Sequence, residues 1–259
     1  MTTTACDPPH VLITGGSAGI GLGLARRYLA AGARVLVTGR DRSRLDDAAA
    51  SHPGLLTCMS DLANPDARET LALDVLTVLP RLSVLINNAG IQRRVPLARD
   101  VAPWAERQAE IDILLAAPVH LSSLLVPAML RIGGDATIVN VTSGGAIVPQ
   151  PFAPVYAACK AALHSHTVTL RHALADTRIL VKELIPPAVA TGLAGPSATH
   201  GAPLDAFCDA VFPALCDRHS TEIGFGVTAS DTFTAPRALE RDLFDRFSTR
   251  FEVATYARP

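Results

Sequence analysis

Tyr156, Lys160 and Ser143 are the residues whose types and spacing could carry chemistry. Tyr156 and Lys160 stand four apart in Tyr156-Ala157-Ala158-Cys159-Lys160, so on a helix they share one face. A free phenol titrates near ~10 and is a poor base at neutral pH. A nearby ammonium favours the phenolate and lowers that value. Such a tyrosine can give a proton to a carbonyl oxygen or take one from an alcohol. Ser143 follows an apolar run, Ala136 to Val141, and its hydroxyl can hold an oxygen on which negative charge develops. Singly, each residue has an ordinary reading, a buried phenol with a partner or a solvated lysine.

The elements that would position these side chains follow from the hydrophobic pattern. Short apolar runs at Val11–Ile13, Arg34–Thr38, Leu55–Met59, Ser83–Asn87, Ala136–Val141 and Arg178–Ile185 alternate with helical periods near 22–30, 43–51, 65–79, 102–131 and 156–175. That alternation predicts βαβ units and an α/β fold, a doubly wound parallel sheet in a single domain. Ligands of such sheets bind beyond the carboxyl ends of the strands. The informative residues do fall just after the predicted strands.

Between the first strand and its helix lies Thr14-Gly15-Gly16-Ser17-Ala18-Gly19-Ile20-Gly21. Glycines there allow a tight turn, and the helix N-terminus offers free N–H donors to a pyrophosphate. A structural turn of small residues is the plain alternative. The spacing lacks the Gly-Lys-Ser/Thr of a triphosphate loop, so a dinucleotide fits better than ATP.

Taken together, the Thr-Gly-x-x-x-Gly-x-Gly turn, Asn87-Asn88-Ala89-Gly90, the Tyr156-x-x-x-Lys160 pair and Ser143 thirteen residues before Tyr156 resemble the short-chain dehydrogenase/reductase superfamily. The resemblance spans about residues 8 to 195. It implies an oxidoreductase that moves a hydride between NADP(H) and a carbonyl or alcohol, with Tyr156 as proton donor or acceptor, Ser143 positioning the oxygen, and Lys160 tuning Tyr156 and holding the nicotinamide ribose. It further implies cofactor contacts from Gly15, Ser17, Gly19, Ile20 and Gly21, from Asp61 and Leu62 after the third strand, from Asn88, Ala89 and Gly90, and from Val189 and Thr191. Ala89-Gly90-Ile91-Gln92 and Ala117-Pro118-Val119 resemble, within it, oxidoreductases associated with a D-alanine-esterification gene cluster.

The choice of cofactor rests on the end of the second strand, Val37-Thr38-Gly39-Arg40. No carboxylate stands there to accept ribose hydroxyls. Arg40 can pair with a 2′-phosphate instead, so the expected cofactor is NADP(H) rather than NAD(H). Two departures qualify the resemblance. Pro187 replaces the usual glycine, which leaves the local loop path open. Leu114 stands where most members carry an asparagine of a proton relay, and leucine cannot hydrogen-bond. Either the enzyme works without that residue, the alignment is off by a turn, or the cleft does other chemistry. The alternatives are a non-redox isomerase, dehydratase or cyclase, and a protein that binds NADP(H) without turnover.

Composition bounds the rest. Of 259 residues, 49% are hydrophobic and 18% charged, with net charge −1, which excludes a disordered chain and a basic nucleic-acid binder. The five cysteines, Cys6, Cys58, Cys159, Cys208 and Cys216, form no Cys-x-x-Cys pair and read as buried or partly buried free thiols. His164, His166 and His172 do not converge on a tetrahedral metal and read as surface or interface residues; no metal site is expected. The polar N-terminus is unlike a signal peptide, and the apolar stretch Ile111–Ile132 is interrupted by Asp112, Pro118, His120, Pro127 and Arg131. The expectation is a cytoplasmic protein with no membrane partner and a small, fairly apolar substrate. It would be a homodimer or homotetramer through its two long helices, as the superfamily implies. Residues 8–230 would form the catalytic domain, with Glu222–Val227 a possible last strand. The stretch 192–217, with Pro196, Phe207 and Phe212, reads as an apolar lid over the substrate. Residues 231–259 read as a helical extension opened by Pro236, with Leu239, Leu243, Phe244, Phe247 and Phe251 packed on the domain or on a partner subunit.

Overall fold

A computed structural model describes residues 8–194 and 201–257; Cys6 and Pro196 lie outside them. Seven strands, β1 (His10–Ile13), β2 (Arg34–Gly39), β3 (Leu56–Met59), β4 (Leu82–Asn87), β5 (Ala136–Val141), β6 (Ile179–Ile185) and β7 (Glu222–Gly224), form one sheet in the order β3-β2-β1-β4-β5-β6-β7. Every pairing is parallel. The order reverses between β1 and β4, which opens a crevice at the carboxyl ends of these two strands.

The helices are α1 (Gly19–Ala30), α2 (Arg42–Ser51), α3 (Pro65–Val78), α4 (Trp104–Ile111), α5 (Ala117–Ile132), α6 (Pro154–Ala173), α7 (Leu204–Cys216) and α8 (Asp231–Ser248). They cover both sheet faces, so the strands are apolar throughout rather than alternating. In β1, Val11 and Ile13 enter one core, shared with α1 and α7, while Leu12 enters the other, shared with α3 and α5. All three are fully buried, a gain of roughly 1.5–3 kcal/mol each. Local signals set the helix starts. Asn64 caps α3 through Oδ1, which accepts from the Asp66 and Ala67 amides, with Pro65 in the first turn.

Four expectations are corrected. The long helix is interrupted by a π-helical turn at Asp112–Ala116, between α4 and α5. The last strand stops at Gly224, because the chain folds back there; a Cβ on Gly224 would stand 2.4 Å from the Thr228 carbonyl oxygen. The final helix opens at Asp231, with Pro236 inside it. The Ser230 carbonyl accepts from the Phe233 and Thr234 amides, which forms the first turn upstream of the proline. Cys216 is exposed, whereas Cys159 and Cys208 are buried free thiols.

The expected lid is also corrected. Phe207 is fully buried and meets Phe225 edge-on, and Phe212 meets Tyr28 of α1 edge-on. These aromatic rings therefore belong to the core beneath α7, and among the described residues of that stretch Gly192 and Leu193 line the cleft. Taken through the π-turn, Trp104–Ile132 is long and apolar enough to cross a membrane by length and composition. Here its Leu121, Leu125 and Val126 are buried in the second core.

Candidate active site

A cleft of about 950 Å³ runs along the carboxyl ends of β1, β2, β4, β5 and β6. Gly15, Ser17, Gly19, Ile20, Arg40, Asp61, Leu62, Asn88, Ala89, Gly90, Ser143, Tyr156, Lys160, Val189 and Thr191 all line it. Gly21 does not. It lies beneath the turn, where a Cβ would stand 2.5 Å from both Asn88 Nδ2 and the Gly15 carbonyl oxygen. Its role is to let α1 approach the β4 loop.

The turn before α1 has the features of a phosphate site. Gly19 takes a left-handed conformation, φ 54°, which favours glycine. Ala18 is the N-cap of α1 and supplies no side-chain acceptor, so the first-turn N–H groups remain open toward the cleft. The turn is clasped from β4. Thr14 Oγ1 accepts from the Asn88 and Ala89 amides at 3.0 and 3.1 Å, and Asn88 Nδ2 donates to the Thr14 and Gly15 carbonyls. Beneath it, Asn87 Nδ2 donates to Asn140 Oδ1 at 2.8 Å, and Asn140 Nδ2 to Thr167 Oγ1 at 2.9 Å. Sequence reasoning missed Asn140 and Thr167. An asparagine inside the apolar run of β5 was the available signal, since a buried amide must find partners.

The chemical group forms where β5 ends beside α6. Ser143 Oγ accepts from the Gly145 amide at 3.0 Å and lines the cleft together with Tyr156. Tyr156 and Lys160 are both buried. Lys160 Nζ donates to the Val141 carbonyl at 2.6 Å and lies 5.7 Å from the Tyr156 ring centroid. Burial pushes the Lys160 ammonium down to about 8. Burial also pushes the Tyr156 phenol up, with the nearby Ser143 hydroxyl opposing. The expectation that Lys160 lowers the Tyr156 value is therefore corrected: desolvation dominates at the phenol, and Lys160 points its charge at a carbonyl.

Leu114 is fully buried in the π-turn and packs with Ala153, Tyr156 and Cys159. No side-chain relay is available at that position. The Pro186-Pro187 segment still lines the cleft. The path after it is held by the Ala190 and Ala202 amides, which donate to the Ala202 and Ala188 carbonyls.

At the end of the cleft beside α2, Asp41 is committed to capping that helix. It accepts from the Arg44 amide at 3.2 Å and from Ser43 Oγ at 3.1 Å. Arg40 lines the cleft and has no ion-pair partner among the described residues.

A second charged assembly, behind the Ser143–Tyr156–Lys160 group, was missed. Glu183 of β6 is 1% exposed. Its Oε1 accepts from Thr142 Oγ1 at 2.6 Å, and its Oε2 from His164 Nδ1 at 2.8 Å and Arg237 Nη2 at 2.6 Å. Thr142 precedes Ser143, His164 lies one helical turn beyond Lys160, and Arg237 belongs to α8. The reading of His164 as a surface or interface residue is corrected, because it is 9% exposed and joins two carboxylates. Its second nitrogen, Nε2, faces Glu240 at 2.9 Å. Only the imidazolium has two N–H donors, so this geometry requires the charged ring, and the Glu183 hydrogen bond leads the effects that raise its pKa.

A raised histidine value stabilises the fold fully below the ordinary ~6.5, and that contribution disappears as pH rises through the folded value. The Tm advantage of the wild type over His164→Asn is therefore expected to shrink from pH 6 to pH 9. Thermal melts of both proteins check this. The comparison removes the opposite trend of Lys160, whose lowered value favours folding as pH rises.

Comparison with known proteins agrees with this geometry. Residues 9–201 match the short chain dehydrogenase family. An uncharacterized oxidoreductase of Bacillus subtilis, DltE, is 46% identical over 183 residues, covering 71% of this chain and 72% of that protein. A short-chain dehydrogenase from Sphingobium yanoikuyae, solved in complex with NADPH, has a TM-score of 0.82 at 24% identity, covering 92% of this chain and 95% of that one. A metagenomic short-chain oxidoreductase, solved in complex with NADP, has a TM-score of 0.69 at 27% identity, covering 84% and 95%. The sheet, the clasped glycine turn and the Ser143–Tyr156–Lys160 group thus have one common explanation: the chain belongs to the short-chain dehydrogenase family of oxidoreductases.

Proposed function

We propose that this protein reduces a carbonyl, or oxidises the corresponding alcohol, with NADP(H) as the redox partner. The observation that carries the reading is the meeting of Ser143, Tyr156 and Lys160 on one wall of a cleft whose far end presents Arg40. When bound, the nicotinamide supplies or takes the hydride. Ser143 holds the substrate oxygen, and Tyr156 gives that oxygen a proton as negative charge develops on it. Burial keeps the Tyr156 phenol protonated near neutral pH, the state that reduction needs. Lys160, directed at the end of β5, fixes the spacing between Tyr156 and the strand.

NADP(H) is favoured over NAD(H) by two neighbours with opposite commitments. The Asp41 carboxylate is occupied at the start of α2, and the Arg40 guanidinium lines the cleft with no ion-pair partner among the described residues. The metagenomic relative in complex with NADP supports the same choice. Arg40→Ala is expected to weaken NADPH binding about 10–100-fold, since a hydrogen bond to a charged group contributes about 1.5–3 kcal/mol. NADH binding should change little. Fluorescence titration with both cofactors checks this, and NADPH oxidation with a ketone and aldehyde panel checks the activity. Leu114 favours one second reading, proton transfer by Tyr156 without net redox.

A further inference from the structure

The substrate end of the cleft has walls of Ile91, Ile113, Val148, Phe152 and Phe233. One cation stands among them. Apart from Lys160, Arg94 is the only charged residue lining the cleft outside its adenine end, among the described residues. Its guanidinium lies 5.2 Å over the Phe152 ring, and Nε donates to Gln92 Oε1 at 3.0 Å. The arginines beside it are committed. Arg93 grips Asp100 through both terminal nitrogens at 2.9 and 2.8 Å and reaches Glu106 at 3.0 Å. Arg107 pairs with Asp100 at 3.0 Å. No carboxylate pairs with Arg94 among the described residues, so its two terminal NH₂ groups keep the fork that matches a carboxylate.

The loop that carries Arg94 is fixed beforehand. Besides the Asp100 grip, the Arg93 amide donates to the buried Glu110 carboxylate at 2.9 Å. Stacking on Phe152 restricts the guanidinium further. Such pre-organisation lowers the entropy lost on binding.

We propose that Arg94 receives an anionic group of the substrate. The substrate is then an amphipathic oxo acid or hydroxy acid, whose apolar body spans the walls between Arg94 and Tyr156. This rests on the carbonyl reading above and adds a charged group to the fairly apolar substrate expected from the sequence.

The test uses binding and needs no turnover. The NADP⁺-loaded protein is titrated calorimetrically at pH 7 with hexanoate and with hexanamide, which share a chain and differ in charge. Hexanoate is expected to bind about tenfold tighter, from a charge-assisted hydrogen bond at a partly exposed site. Arg94→Met should abolish that preference and leave hexanamide affinity unchanged. Equal affinities in the wild type, binding of neither ligand, or a preference that survives in Arg94→Met would each overturn the proposal. The last result would assign the anion to Lys160. Absence of NADPH oxidation across the carbonyl panel would count against the carbonyl reading alone, because these titrations involve no chemistry.

Discussion

Tyr156→Phe is expected to lower carbonyl turnover by about 10²–10⁴-fold, the range for loss of a positioned general acid. NADPH affinity should stay within a few-fold. The variant removes one oxygen from a side chain that is 6% exposed. The ring remains packed on Leu114 and Ala153, so Lys160 and Ser143 keep their backbone anchors at Val141 and Gly145. The loss should therefore appear in kcat with KM nearly constant, the pattern of an interaction made in the transition state. The raised Tyr156 value also fixes a direction with pH. Reduction uses the phenol, which is the resting form at neutral pH. Alcohol oxidation uses the phenolate, so its rate should climb toward alkaline pH. Steady-state kinetics in both directions would show this.

Glu183→Ala is expected to be the most destabilising single change behind the site. It leaves Arg237 and His164 buried with half of their partners gone, and breaking a buried pair costs about 3–5 kcal/mol. At roughly 2–4 °C per kcal/mol for a chain near this size, Tm should fall by about 6–20 °C. Glu183 joins β6 to the residue before Ser143, to the catalytic helix and to α8. The damage should reach catalysis as well as stability. Phe233 of α8 touches the space at Gly144, where a glycine Cβ would stand 3.3 Å from its ring. Loss of the Arg237 contact should thus loosen the substrate end of the cleft and raise KM. Glu183→Gln keeps an acceptor for Thr142 and should give a smaller Tm loss. Thermal melts and steady-state kinetics of the two variants separate the charge from the hydrogen bond. Burial raises the Glu183 value, but the hydrogen bond from His164 and the nearby Arg237 hold it lower overall. The carboxylate's contribution is therefore present above its ordinary value of ~4.3 and lost as pH falls through the lower, folded one.

What could be read from the chain alone was local. The glycine turn, the Asn87-Asn88-Ala89-Gly90 run and the Tyr156–Lys160 pair are each short segments at strand ends that the apolar runs mark, whereas the clasp of Asn88 on Thr14 spans 74 residues and had no local signal. Periodicity therefore placed six of the seven strands, and the crevice followed from their parallel order. The Glu183 assembly was illegible because its partners lie 19, 41 and 54 residues away, with no spacing to betray them. A glutamate inside the run Ile179–Ile185 was the one clue, since a charge buried on both sheet faces demands partners. The lid failed for a related reason. Phe207 and Phe212 read as parts of a lid in an apolar, proline-containing stretch, but α7 turns them toward Phe225 and Tyr28. The direction of the Tyr156 shift also depended on tertiary burial. Helical spacing brings Lys160 to the right face and says nothing of which carbonyl it will meet.

The most direct measurement follows the hydrogen itself. The protein is incubated with a carbonyl substrate and NADPH carrying deuterium at the transferable nicotinamide position, and the product is analysed by mass spectrometry and NMR. One deuterium on the new carbinol carbon, lost together with turnover in Tyr156→Phe, is the predicted result. Product formed without deuterium and without NADPH consumption would contradict hydride transfer and assign the cleft to non-redox proton chemistry.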